Sequence, residues 1–326
     1  MTKISILVPI YNVAEFLPEC LASLTAQTLR EMEIICINDG STDESPKIIE
    51  QFAKKDARIR VITKTNSGYG DSMNQGLAAA KGEYIGIVES DDFIEPEAFA
   101  QLYKLAKKQN ADIVRANYFY HTAAGDTLHR AIREQKLEQA QDIASDPAIL
   151  YEESAIWSAI YRRKFLEEHE IRFLPTPGAS YQDTSFNMKA LCSAERIVYT
   201  DAAYLHYRTD NSGSSVKSLS KADFVMQEYA EVERYLEEIG APRKVRLVAQ
   251  AAKFGAFHWN LIRLPRSLAL MFLGKMKINF CAARQAGLLD KRYWPCKYWL
   301  ALQLILHFPV SFYYNTLALR QKIRRK

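Results

Sequence analysis

The sequence lacks any C-x-x-C pair. Its five cysteines (Cys20, Cys36, Cys192, Cys281, Cys296) are odd in number and scattered through 326 residues. That argues against a disulfide framework and predicts reduced thiols in a cytosolic protein. No secretory segment is expected, because Met1-Thr2-Lys3 runs straight into an apolar strand pattern. No Gly-rich loop carrying Lys or Arg stands near the N-terminus, which leaves nucleotidyl transfer unsupported. No internal repeat or long low-complexity run is present. Acid is nearly missing from the last 86 residues: 241–326 hold 17 Lys and Arg against one acid, Asp290, for a net +16. Residues 1–240 hold 26 bases against 37 acids, for a net −11. Such a split predicts a tail that meets a polyanion. No recognisable nucleic-acid module accompanies it, so no nucleic acid is expected as partner.

What is present begins with an alternation of strand and helix. Apolar runs predict strands at Ser5–Pro9, Glu33–Asn38, Ile59–Thr63, Tyr84–Glu89 and Asp112–Asn117. Helical patterns fill Phe16–Gln27, Ser45–Lys54, Ser72–Lys81 and Pro96–Gln109, with Pro18 and Pro46 in first turns, where a missing N–H does no harm. This order predicts an α/β fold with a mostly parallel central sheet and helices on both faces. Beyond Tyr118 the pattern turns irregular: strands fit 155–161, 197–199 and 204–208, and a helix fits Ser185–Ser193. From Ala222 onward it is helical, including Asp223–Ile239 and Val245–Leu261.

The most telling stretch is Val88-Glu89-Ser90-Asp91-Asp92-Phe93-Ile94-Glu95-Pro96, where a buried strand emerges. Carboxylates bunched there repel one another, and a divalent cation offsets that cost; Mg²⁺ or Mn²⁺ suits such oxygen ligands. In open α/β sheets, ligands bind beyond the carboxyl ends of strands. A helix cap by Ser90 or Asp91 remains the plainer reading.

Pro9-Ile10-Tyr11-Asn12, Asn38-Asp39-Gly40-Ser41-Thr42-Asp43, Asn66-Ser67-Gly68-Tyr69-Gly70, Asn74-Gln75-Gly76 and the acidic stretch stand in this order along the chain. Together they resemble the family 2 glycosyltransferases, whose fold is called GT-A, over roughly residues 3–215. The resemblance implies an inverting sugar transfer from a nucleotide-sugar, most simply a UDP-sugar, to a glycan or lipid-linked acceptor of the bacterial surface. It implies residues 1–118 as the nucleotide-sugar half and 119–218 as the acceptor and catalytic-base half, while charge and pattern predict 219–326 as a basic helical region. Asp39 would accept from a uracil N3–H, with Pro9, Tyr11 and Asn12 lining the base pocket and Glu15 nearby. Asn66, Gly68 and Gly70 precede a helix whose N–H groups would suit an anion, and Asn74 would add a contact. Met73 stands where the family often has Arg.

In the family's Asp-x-Asp, Glu89 takes the first place and Asp91 the second, expected to hold the metal. Ser90 lies between them, and Asp92 is a supporting residue or a cap. Asp183 matches the family's catalytic base, with Gln182 replacing the usual Glu beside it; that lost charge is expected to leave Asp183 more acidic. Arg208 and Ser214 match a late motif that holds the diphosphate, and His206 would join the metal. Asp39 as a turn residue, Asp183 as a cap, His206 as a packed histidine and Lys217 as a solvated one are the bland alternatives.

Tyr298–Leu319 is 22 residues without a formal charge, long enough to span a bilayer. Yet Gln303, His307, Ser311 and Asn315 recur every four residues opposite Leu304, Ile305, Phe308, Phe312 and Leu319, and Pro309 interrupts. With Arg320 to Lys326 trailing, this pattern predicts a helix in the interface of an anionic membrane. Trp294, Trp299, Tyr313 and Tyr314 would sit at headgroup level, placing the enzyme peripherally on the cytoplasmic face. Packing against the protein or a homo-oligomer contact would explain the same pattern. The departures at Met73, Glu89 and Gln182 keep a rival open: a catalytically weak, membrane-associated scaffold subunit that binds nucleotide-sugar.

Overall fold

The computed structural model describes residues 1–132, 137–211 and 223–324, with side chains described as far as residue 319. It divides into two compact units, Met1–Asp146 with Glu152–Lys217, and Pro147–Tyr151 with Ser218–Lys326.

The first unit runs β1 (Ile4–Ile10), α1 (Leu17–Thr25), β2 (Met32–Asn38), α2 (Ser45–Ala53), β3 (Ile59–Thr63), α3 (Tyr69–Ala79), β4 (Tyr84–Ile87), β5 (Phe93–Ile94) and α4 (Ala98–Gln109). It continues with β6 (Ile113–Thr122), β7 (Gly125–His129), β8 (Ala159–Arg162), α5 (Arg163–Glu168), α6 (Gln182–Ser193) and β9 (Ile197–Arg208). The sheet order is β3-β2-β1-β4-β8-β6-β9-β5, with β7 paired to β6. β3, β2, β1 and β4 are mutually parallel; β8 joins β4 and β6 antiparallel, and β9 runs parallel to β6.

β1 and β2 are buried at every residue, as a strand covered on both faces by crossover helices must be. α1 turns Leu17, Cys20, Leu21 and Leu24 inward, at the spacing of one helical face. The expected division at 118 falls inside β6, so both halves share one sheet. Residues 200–203, read as a gap between two strands, belong to the single strand β9, whose pairing with β6 shifts register between Arg115 and Tyr118. Residues 156–158 form a 3-10 turn ahead of β8 rather than part of a strand. β5 and the exposed hairpin strand β7 carry too short or too polar a pattern to read from sequence.

The second unit holds α7 (Phe224–Glu238), α8 (Arg243–Leu261), α9 (Arg266–Gln285), α10 (Cys296–His307) and α11 (Val310–Arg324). Phe254, Phe257, Phe280 and Trp294 interlock at its centre. Lys253 is buried among them, its ammonium bonded to Glu233 and Asn279, each at 2.5 Å.

Pro309 divides the uncharged 298–319 stretch into α10 and α11. Among the described residues, no helix is long and apolar enough to cross a membrane. Trp294 and Tyr313, expected at headgroup level, are buried in the unit's core, as is Ile305. Phe308, Phe312, Leu300 and Leu319 are exposed, and α9 exposes Met271 and Ile278. The side chains from Arg320 onward lie outside the described residues.

Candidate active site

The strand order reverses between β1 and β4, the place where open α/β sheets receive ligands beyond the carboxyl ends of their strands. β1 pairs with β4 only as far as Leu7 and Ile87. Pro9, two residues on, has no N–H to extend that ladder, although it still faces Ile37 of β2. The loops after β1 and β2 are tied together. Asn12, held at φ +48, donates its N–H to Ser41 Oγ (3.1 Å) and accepts from the Thr42 N–H (2.8 Å). The Ala14 N–H donates to Asp43 (2.9 Å). Tyr11 is 52% exposed at the mouth, and Glu15 is exposed beside it.

Asp39 is buried, and accepts from the N–H groups of Ser67 and Gly68 (2.9 Å each) and from Lys64. A carboxylate has about four acceptor sites, and these three bonds leave one at Oδ2 unused. The same bonds correct the expected phosphate cradle. The anion on the amides ahead of α3 is Asp39 itself, the Tyr69 N–H donates to the Gly178 carbonyl (3.0 Å), and Asn66 points outward in an exposed position. Gly68 (φ +100) and Gly70 serve close approach to the 174–178 segment. A Cβ on Gly70 would stand 1.9 Å from the Leu174 carbonyl oxygen. We expect Gly70→Ala to cost about 3 kcal/mol, because backbone meets backbone and neither can yield; urea unfolding measures it.

Asn74 is also reassigned. Its amide donates to the Phe173 carbonyl and accepts from the Phe173 N–H, both at 2.9 Å. These two bonds make it a clamp that aligns this segment. Met73 is buried in the core.

After β4, Glu89 accepts from the Tyr69 hydroxyl (2.6 Å). Burial, with the Asp91 and Asp183 charges adding, pushes its carboxyl up to about 8 despite that bond. Ser90 and Asp92 are buried, and Asp91 accepts from the Asn211 amide (2.7 Å). Burial first and Asp91 second hold Asp92 well above the carboxylate range. Its Oδ1 accepts from the Arg208 N–H (2.8 Å), while its buried Oδ2 has no hydrogen-bond partner among the described residues. Crowded carboxylates with an orphaned oxygen fit a hard divalent cation.

Arg208 lies at the acidic turn. Its Nε donates to the Asp91 carbonyl (2.9 Å), its guanidinium pairs with Glu19, and it lies over the Phe16 ring at 4.8 Å. It braces the acidic turn from behind. His206, two residues back on the same face of β9, is engaged by Glu95 and Asp126 and does not join Asp91. Ser214 and Lys217 lie outside the described residues.

Asp183 sits in the first turn of α6 behind Tyr181, which adopts a left-handed conformation (φ 63). Burial raises its carboxyl to about 6, against bonds from Thr184 and its own backbone N–H that lower it. The expected acidifying effect of Gln182 is therefore outweighed. Gln182 turns into the loop instead, donating to Thr176 Oγ1 (2.8 Å) and the Gly178 carbonyl (3.2 Å) and accepting from the Ser180 N–H (2.5 Å). A glutamate could not donate to those oxygens, which explains the departure from Glu.

Two residues of this site escaped the sequence reading. Tyr69 bridges to Glu89, and Tyr207 lies among the acids: its phenol is raised by burial and then by Asp92, Asp91, Glu89 and Asp183. Tyr207 stacks on Trp157 at 5.3 Å. Their only sequence signal was adjacency to Gly68 and Arg208.

A model of glycosyl transferase family 2 matches residues 5–170. The uncharacterized glycosyltransferase EpsJ of Bacillus subtilis (strain 168) is 34% identical over 218 residues, covering 63% of this chain and 60% of that protein. The poly(ribitol-phosphate) beta-N-acetylglucosaminyltransferase TarS of Staphylococcus aureus (strain Mu50 / ATCC 700699) is 29% identical over 69% of this chain and 39% of TarS. The chain thus spans less than two thirds of the length of these relatives. The crystal structure of S. aureus TarS 1-349 in complex with UDP matches with a TM-score of 0.75 at 22% identity, covering 98% of this chain and 92% of that one. The shared architecture is the GT-A fold, and the chain belongs to glycosyl transferase family 2.

Proposed function

We propose that the chain transfers a sugar from a UDP-sugar to a hydroxyl of a cell-surface glycan or lipid-linked acceptor, inverting the anomeric carbon. The observation that carries this is the meeting of Asp183 with the Glu89–Asp92 turn. Asp183 raises the carboxyl of Glu89, so its charge is felt inside the donor crevice. In this reading Tyr11 and Asp39 take the base, Asp39 through its open acceptor site. Asp91, with Asp92 behind it, would hold Mn²⁺ or Mg²⁺, which when bound supplies positive charge beside the leaving diphosphate. Asp183 takes the proton from the acceptor hydroxyl as that oxygen attacks in line. UDP is the nucleotide in a TarS structure, and TarS is named for transfer to poly(ribitol-phosphate), a polymer bearing hydroxyls, which supports both choices.

A general base must be ionised to act. With the Asp183 carboxyl at about 6, kcat/KM should fall about tenfold per unit below that pH and level off above it. A rate flat down to pH 4.5 would count against Asp183. Product configuration, read by NMR, tests inversion.

We further propose peripheral attachment to the cytoplasmic face of an anionic membrane through the 219–326 region. Its net charge and the exposed Met271, Ile278, Leu300 and Leu319 support this. The protein should sediment with phosphatidylglycerol vesicles and leave them in high salt. Sedimentation unchanged by lipid, with self-association instead, would favour a homo-oligomer contact.

A further inference from the structure

The far side of β9 carries chemistry of another kind. His206 is 5% exposed and sandwiched between its register neighbours Phe93 and Phe119, with ring centroids at 4.3 and 4.8 Å and nearly parallel planes. Its Nε2 lies 2.9 Å from Glu95 Oε1, so the ring is fixed in both tilt and rotation. Its Nδ1 lies 3.2 Å from Asp126 Oδ2, outside hydrogen-bond geometry, and is buried with no hydrogen-bond partner. The other oxygen of Asp126 lies 2.7 Å from His121 Nδ1. All three ligand atoms fall within 4.8 Å of one another.

If Nε2 carries the proton shared with Glu95, the Nδ1 lone pair faces a carboxylate. That arrangement is repulsive unless a cation stands between them. We propose that His121, Asp126 and His206 form a Zn²⁺ site separate from the acidic turn, with water completing four-coordination. Two imidazoles and one carboxylate are a borderline-soft donor set that suits Zn²⁺, unlike the oxygen-only donors after β4. Glu95 plays the outer carboxylate that orients a ligating histidine. The ion would staple the β6–β7 hairpin to β9. Phe93 stacks on His206 two residues after Asp91, and Arg208 holds the Asp91 carbonyl and the Asp92 carboxylate. Occupancy would therefore stiffen the donor crevice from behind. None of this depends on the sugar-transfer reading.

The test is calorimetric titration of ZnCl₂ into the chelator-stripped full chain, with thermal melting in parallel. We expect one Zn²⁺ per chain, a raised melting temperature, and unchanged affinity in Asp91→Ala. His121→Ala should weaken binding about 100-fold or more, beyond what loss of an outer ligand costs, and should remove the melting shift. Asp126 is exposed, so Asp126→Asn gives the same reading in a second variant that keeps the fold. Three results would overturn the site. One is no Zn²⁺ uptake by the folded wild type, which would leave a proton on Nδ1 as the cation. Another is binding that survives both variants, which would place the ion on the thiols. The third is binding lost in Asp91→Ala, which would place it at the acidic turn.

Discussion

Asp183→Asn is expected to lower sugar transfer by about 10³-fold, within the range a positioned general base contributes, while donor affinity changes little. The amide keeps the shape of the α6 first turn but cannot take a proton. The fold should not suffer. The folded carboxyl sits at about 6, above its unfolded value near 3.9. Its contribution to stability is therefore present at low pH and is lost as pH rises through 6. At pH 8 the variant should melt no lower than wild type, and by pH 4 the two should converge. Loss of donor binding, or a lower melting temperature at pH 8, would show that Asp183 builds the site rather than acting in it.

Asp91→Ala should produce the second largest loss. Asp91 is the partly open carboxylate of the acidic turn, and its partner Asn211 reaches it from the chain beyond β9. Removing it leaves Glu89 and Asp92 deep in the crevice with no open carboxylate between them. We expect donor turnover to fall by about 10²- to 10³-fold, as for loss of a group that stabilises developing charge. Mn²⁺ should no longer strengthen UDP binding, a readout independent of turnover. A variant whose UDP affinity still rises with Mn²⁺ would move the cation elsewhere. Of Asp91 the Arg208 side chain bonds only the backbone carbonyl, and Glu19 holds its other end, so it should stay in place in this variant.

The frame of the crevice was legible because its signals are local. β1, β2 and β4 are mostly apolar runs ending in turn residues, and Asp39 and Asp91 follow closely from where β2 and β4 stop. What was not legible depends on partners distant in sequence. Asn74 binds Phe173, and Gly70 needs its missing Cβ because Leu174 presses on it. No window around residues 70–74 contains that information. The alternation along β9 placed His206 and Arg208 on one face and Tyr207 on the other, yet only the sheet order decides which face meets the acids. Gln182 read as a lost charge, but its neighbours show a donor that two oxygens require. In the tail, the four-residue stripe was real as a pattern, but it could not tell a core-facing Trp294 or Tyr313 from an exposed Leu300.

The most direct test of the account is nucleoside-diphosphate release by the purified chain from a panel of UDP-, GDP-, CDP- and dTDP-sugars, with Mn²⁺, Mg²⁺ or EDTA. The account predicts slow UDP release from one UDP-sugar, sustained by Mn²⁺ or Mg²⁺ and abolished by EDTA and in Asp91→Ala. No release from any donor, together with no calorimetric binding of UDP, would contradict it and leave a scaffold in place of an enzyme.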